Sequence, residues 1–122
     1  MNRDKRRRAH RRGLVAEGLC VWLLRLKGYR ILARRFRVPT GEIDLIARRG
    51  RVLAAIEVKA RVDFAEAAES IQPRQRRRVA RALDHFLKSR PDLYACDPRF
   101  DVMLVRPGHW PRHLPNAWQA ET

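Results

Sequence analysis

The chain has 122 residues, room for one domain built on one core. Twenty-eight Lys and Arg oppose thirteen Asp and Glu, a formal charge of +15, while 45% of the residues are hydrophobic. That balance argues against wholesale disorder and favours polyanionic partners: DNA, RNA or an acidic membrane surface.

No apolar run approaches the ~20 residues of a membrane span, and the N-terminus lacks the apolar core and cleavage site of a signal peptide. Cys20 and Cys96 have no second ligand at zinc spacing and read as thiols of a reduced, cytoplasmic protein. His109 and His113 have helical spacing, but Pro107, Pro111 and Pro115 disfavour a helix there, so a zinc site is not expected.

Residues 1–12 contain seven Arg or Lys and one Asp and read as a disordered basic arm, either solubilising or nucleic-acid-binding. Residues 13–122 read as a single domain. From Gly13 to Lys27 the spacing of Leu14, Val15, Leu19, Val21, Trp22, Leu23, Leu24 and Leu26 predicts a helix closed by Gly28. Glu17 shares a face with Leu14, Val21 and Leu24. It is either a carboxylate in need of a partner or a first-turn Glu favoured by the helix dipole. Tyr29–Val38 predicts a strand, Pro39-Thr40-Gly41 a turn, Glu42–Arg48 a second strand and Val52–Arg61 a third. Residues 62–69 form an irregular or partly helical connection. A helix follows from Pro73 to about Ser89, with Val79, Ala82, Leu83, Phe86 and Leu87 inward and Arg74, Arg76, Arg77, Arg78, Arg81 and Lys88 outward. Phe100–Val105 is a fourth strand, and a short edge strand near Leu114 is conceivable. The helix before the fourth strand is a crossover that can set it parallel to its neighbour, which gives an α/β fold with a mixed sheet of four or five strands and a helix on each side. Trp22, Trp110 and Trp118 are too scattered for a base-stacking platform and are assigned to core packing.

The chemistry concentrates in the second hairpin. Alternation puts Glu42, Asp44 and Ile46 on one face of strand two, and Ala55, Glu57, Lys59 and Arg61 on one face of strand three. A two-residue turn at Arg49-Gly50 pairs Arg48 with Arg51, so that Asp44 faces Ala55 and Glu42 faces Glu57. Any register whose paired indices have an odd sum brings Asp44 and Glu57 to one face; an even sum separates them. Two neighbouring carboxylates repel unless a positive charge lies between them. Lys59 neutralises part of that charge, and a hard cation such as Mg²⁺ or Mn²⁺ neutralises more. Asp44, Glu57 and the backbone carbonyl of Val58 are the expected ligands, with Glu17 as a further ligand or the holder of a metal-bound water if the first helix crosses this face. Such an ion polarises a phosphoryl oxygen and lowers the pKa of a bound water, while Lys59 orients that water or stabilises charge developing on phosphate. The bland alternative is an exposed sheet face with Glu–Lys pairs, but an Asp inside the apolar run Ile43–Ala47 argues for a site.

Gly41-Glu42-Ile43-Asp44-Leu45-Ile46-Ala47, Glu57-Val58-Lys59-Ala60-Arg61 and Arg99-Phe100-Asp101-Val102 resemble the YraN-like family of small uncharacterised bacterial proteins. Gly13-x-x-Ala16-Glu17, Gly28-Tyr29-Arg30-Ile31-Leu32 and His113-x-x-Asn116-Ala117-Trp118 extend the match from about Gly13 to Trp118. The family belongs to the restriction-endonuclease-like superfamily with its PD-(D/E)xK motif and is similar to archaeal Holliday-junction resolvases. The resemblance implies that Asp44, Glu57 and Lys59 correspond to the catalytic triad, and Glu17 to the helix glutamate of resolvase-like members. Ile43 replaces the motif's proline, and Arg74-Gln75 stands where a family lysine is expected. Arg and Lys act differently on a phosphate, so Arg74 is not assigned to catalysis.

Two functions from different classes follow. One is a metal-dependent endonuclease acting on DNA more than RNA, branched DNA included, with Arg34, Arg35, Arg37, Arg74, Arg77, Arg78 and Arg81 on phosphates; a homodimer suits a junction. The other is an inactive nucleic-acid-binding protein acting on RNA or the ribosome. Membrane-surface binding is disfavoured, because the basic helix lacks bulky aromatics to insert.

Overall fold

The structure, a computed structural model, describes residues 3–60 and 64–119. In chain order it contains α1 (Arg3–Leu26), β1 (Arg30–Val38), β2 (Gly41–Arg49), β3 (Val52–Lys59), α2 (Phe64–Glu69), α3 (Pro73–Lys88), a 3₁₀ turn (Pro91–Leu93), β4 (Asp97–Leu104) and β5 (Arg112–Trp118). The five strands lie side by side in sequence order. Only the β3–β4 pair is parallel, because α2 and α3 carry the chain back across the sheet between them; the other neighbours are antiparallel. The α/β architecture and the crossover are as the sequence predicts, and the edge strand near Leu114 is real. Arg61, expected at the end of the third strand, lies outside the described residues.

Each face of the sheet has its own core. Cys20, Val21 and Leu24 of α1 pack on Tyr29, Leu45, Ala47, Ala54, Ile56 and Met103. On the other face, Val79, Ala82, Leu83 and Phe86 of α3 pack on Ile43, Ile46, Leu53, Ala55, Phe100 and Val102. A sheet covered on both sides explains the nearly continuous apolar runs of β2 and β3. Each fully buried Leu or Ile contributes roughly 1.5–3 kcal/mol.

Three expectations are corrected. Residues 3–12 are the first turns of α1 rather than a disordered arm. They hold no Gly or Pro, and Arg, Lys and Ala are good helix formers, so propensity outweighs charge repulsion here. The hairpin turn is Gly50-Arg51, closed by Arg49 paired with Val52, one residue later than expected. Gly50 supplies the positive φ of 59°. Finally, Trp22 and Trp110 are 61% and 65% exposed, and only Trp118 enters a core.

Two glycines fix the helices. Gly28, at φ 91°, ends α1, and the next amide, Tyr29 N–H, returns to Leu24 O at 2.9 Å. Gly41 has no special φ; it is needed for space, because a Cβ there would overlap the backbone carbonyl of Arg78 in α3.

Candidate metal centre and basic surface

The observed hairpin keeps the odd register that the site requires. Leu45 pairs with Ile56 and Ile46 with Ala55, so one step further along Asp44 lies opposite Glu57 rather than Ala55. The ladder stops at that step. Val58 N–H, left without a strand partner, donates to Asp44 Oδ2 at 2.8 Å. The side chain of Asp44 thus sits in the gap where β2 and β3 part.

β1 shifts register between Ile31 and Ala33 and then runs in constant register past this gap. Arg34 pairs with Leu45 and Phe36 with Ile43, which leaves Arg35 opposite Asp44. Arg35 has φ 52°, a left-handed conformation uncommon for a non-glycine residue. Ile43 packs in the α3-side core together with Ile46, not on the opposite face as strict alternation requires. Strain of this kind collects at functional sites.

Asp44 is shared between two environments. Toward α3 it meets Glu57, which is 4% exposed. Burial, and then the charge of Asp44, push the Glu57 carboxyl up to about 8; Lys59 opposes them. Burial raises Asp44 as well, against the hydrogen bond from Val58 N–H. The pair therefore retains a proton near neutrality unless another cation joins it. Glu57 Oε2 accepts from Gln75 Nε2 at 2.9 Å, and Gln75 Oε1 accepts from Lys59 Nζ at 3.4 Å. Asp44 lies close enough to act on the Glu57 carboxyl through its backbone and side chain, but Glu57 Oε1 is buried and meets no donor in hydrogen-bonding geometry, which is costly for a carboxylate oxygen. Crowded carboxylates with one unpartnered oxygen fit a divalent cation. Sequence reasoning misses Gln75, although it shares its helix face with Val79, Ala82 and Phe86. An amide on an apolar stripe is the available signal.

Toward α1, Asp44 opens into a cleft of about 330 Å³ whose walls include Glu17, Arg35, Arg37 and Glu42. α1 does cross this side, as Glu17 required. Both oxygens of the buried Glu17 are engaged, however, by Arg34 Nε at 3.0 Å and Arg35 Nε at 2.8 Å. Its partners are guanidinium groups. Among the described residues no group of three or more His, Cys, Asp and Glu is placed to hold a metal ion, so Glu17 does not complete a three-carboxylate cluster with Asp44 and Glu57. Cys20, one turn along, feels burial first and then the charges of Glu17 and Asp44, which push its thiol up to about 12.

The basic residues divide into two groups. Arg34 and Arg35 share Glu17, and Arg37 lies 3.5 Å from Glu42. Arg74, Arg77 and Arg81 are exposed on α3, and Arg78 is half-buried where it meets Gly41. Arg76, on the same helix, donates instead to Ile71 O at 3.0 Å and stacks over Trp118.

A second polar cluster is not visible in the sequence pattern. Asp101, 0% exposed, accepts two hydrogen bonds from Arg99, one from His113 Nε2 at 2.7 Å and one from Asn116 N–H at 2.9 Å. Burial raises its carboxyl, but these donors outweigh burial and hold it below the ordinary range. Arg99 also donates to Tyr29 Oη at 2.6 Å. Every member has a partner, and the cluster fastens β5 and the end of α1 to β4.

No helix among the described residues is long and apolar enough to cross a membrane. The profile of the uncharacterised protein family UPF0102 matches residues 16–105. The chain is 57% identical over 111 residues to a UPF0102 protein of Parvibaculum lavamentivorans, covering 91% of this chain and 84% of that one. It is 52% identical over 117 residues to a UPF0102 protein of Methylorubrum extorquens, covering 96% and 91% respectively. A UPF0102 protein of Paramagnetospirillum magneticum is 50% identical over 117 residues, covering 93% and 91%. The matched span contains Glu17, Asp44, Glu57, Lys59 and Gln75, and the chain belongs to the uncharacterised protein family UPF0102, the YraN-like family that its motifs resemble.

Proposed function

We propose that this protein is a metal-dependent endonuclease that hydrolyses phosphodiester bonds in DNA, branched DNA included. The single observation that carries the reading is the Asp44–Glu57 pair at the parting of β2 and β3, with Glu57 Oε1 buried and unpartnered. Asp44, Glu57 and the carbonyl of Val58 would hold Mg²⁺ or Mn²⁺. Bound there, the ion supplies Lewis-acid polarisation of a phosphoryl oxygen. Lys59 places a positive charge where charge develops on the phosphate. Glu17 acts through its arginines: it pairs with Arg34 and holds Arg35 at the cleft beside Asp44. Arg74, Arg77, Arg78 and Arg81 track phosphates from α3, largely without regard to sequence. The choice of DNA over RNA rests on the resemblance to resolvases, and a two-fold dimer would match the symmetry of a junction.

The test is to incubate the protein with plasmid and four-way junctions in Mg²⁺, Mn²⁺ or chelator, beside Asp44→Ala and Lys59→Ala. Cutting that needs the cation and is lost in both variants is the expected result. Binding without cutting under all conditions would instead identify an inactive nucleic-acid binder.

A further inference from the structure

We propose that Gln75 is a positioning residue for the metal centre: its side-chain amide holds Glu57 and Lys59 apart, aiming one at the cation and the other at the phosphate. The inference rests on the metal-dependent reading above and concerns a residue to which that reading gives no role.

The chemistry of the amide suits this position. Glu57 and Lys59 lie two residues apart on β3 and project toward α3. Left to themselves, a carboxylate and an ammonium at this spacing attract each other. A direct pair would consume an oxygen that the cation needs. An amide has one donating and one accepting end, so it can stand between them. Gln75 Nε2 donates to Glu57 Oε2 at 2.9 Å, while its Oε1 accepts from Lys59 Nζ at 3.4 Å. Fixing Oε2 fixes the plane of the carboxylate and leaves Oε1 as the oxygen with no partner. A Lys or Arg side chain could only donate here, and a Glu carboxylate could only accept.

The backbone behind the amide is rigid. Gln75 lies in the first turn of α3, on the face whose Val79, Ala82 and Phe86 enter the core. The contact of Gly41 with the Arg78 carbonyl fixes the distance of α3 from β2. Such outer-shell partners orient ligands without touching the ion.

The test measures Mn²⁺ binding to the full chain by calorimetry, with plasmid cleavage measured beside it. Gln75→Leu removes both hydrogen bonds. Gln75→Met does the same at nearly the original length, should Gln75→Leu disturb folding. The expected result is Mn²⁺ affinity lower by about 10-fold or more in the variants, as for other outer-shell partners. kcat should fall while KM for plasmid stays close to the parent's, and the donor lost from the buried Glu57 should lower the melting temperature by no more than the Asp44→Ala change does. If these variants bind Mn²⁺ as tightly as the parent while Asp44→Ala does not bind it, the role of Gln75 is overturned and the metal centre stands. If Mn²⁺ binding is absent, or equal in the parent and Asp44→Ala, the metal centre itself is wrong and Gln75 falls with it. Failure of both Gln75 variants to fold would mark Gln75 as a structural residue and also overturn the proposal.

Discussion

The side chain of Asp44 occupies a hydrogen-bonding position that belongs to the sheet: its Oδ2 receives Val58 N–H at 2.8 Å, where β2 has stopped pairing with β3. One carboxylate therefore has two tasks, closing an open backbone donor and facing Glu57. The tasks can be separated. Asp44→Asn retains a side-chain carbonyl that can accept from Val58 and removes the repulsion with Glu57. It should lose divalent-cation affinity but keep or gain stability. Asp44→Ala should lose affinity and about 1–2 kcal/mol as well, because the Val58 donor is left unpaired. Urea denaturation beside Mn²⁺ calorimetry distinguishes the two; equal stability losses would mean that the Val58 hydrogen bond contributes nothing.

The Glu57 carboxyl gives stability a pH dependence of definite sign. Its ordinary value of 4.5 rises to about 8 in the fold, through burial first and Asp44 second. Between these values the folded protein binds more protons than the unfolded chain. In chelator, the contribution of Glu57 should be fully present below the lower value, fall as pH rises toward 8 and level off above it. Glu57→Gln should flatten that part of the curve. Divalent cations need the deprotonated pair, so the stabilisation they add should grow with pH over the same window. Urea midpoints across the window, with and without Mg²⁺, test both slopes.

Gly41→Ala should destabilise by roughly 1–3 kcal/mol, the usual cost of forcing atoms into a packed site. The added methyl meets backbone, not a flexible side chain, so α3 must shift and carry Gln75 with it. Mn²⁺ affinity should fall together with the melting temperature, although Gly41 touches neither the ion nor a ligand. Unchanged affinity in a folded Gly41→Ala protein would show that the seating of α3 does not govern the site.

The two groups of arginines should respond differently to substitution. Replacing Arg74 and Arg81 by Ala should weaken duplex binding and reduce its salt dependence, by about 0.9 in log–log slope for each phosphate no longer neutralised. Arg34→Ala should have a smaller effect, because part of the charge it supplies is already offset by Glu17. Fluorescence anisotropy with labelled duplex, titrated with KCl, measures both slopes.

Asp101→Asn should cost roughly 3 kcal/mol, since it leaves the part-buried Arg99 without its charge partner. The loss should appear in thermal melts without altering Mn²⁺ affinity, because the cluster shares no member with the Asp44–Glu57 pair. A change in affinity would couple the two networks.

Much of the fold is legible in the chain. Apolar periodicity places α3 and the hairpin strands, and the odd parity of the register survives a turn displaced by one residue. Asp44 and Glu57 meet for that reason. What stays hidden depends on contacts between distant segments. The pairing of Glu17 with Arg34 and Arg35 needs α1 laid across a strand whose alternation breaks at Arg35, and no local pattern announces a left-handed arginine. The charge of residues 3–12 suggests disorder where helix propensity prevails. Gln75 and Asp101 are visible as polar residues, but their roles arise only when α3 and β5 are folded onto the sheet.

The two thiols lie in different cores. Cys20 packs with α1 on one side of the sheet, and Cys96 packs with α3 on the other. Both are free and buried. A thiol reagent reaches each one only when its own helical layer lifts, so the two labelling rates report the two local opening equilibria separately. Glu17 and its arginines lie on the α1 side, whereas Glu57 and Gln75 meet on the α3 side. The protein thus carries a native probe for each side of its site: cation binding that steadies Glu57 should slow labelling at Cys96, whereas loss of the Glu17 pairs should speed labelling at Cys20.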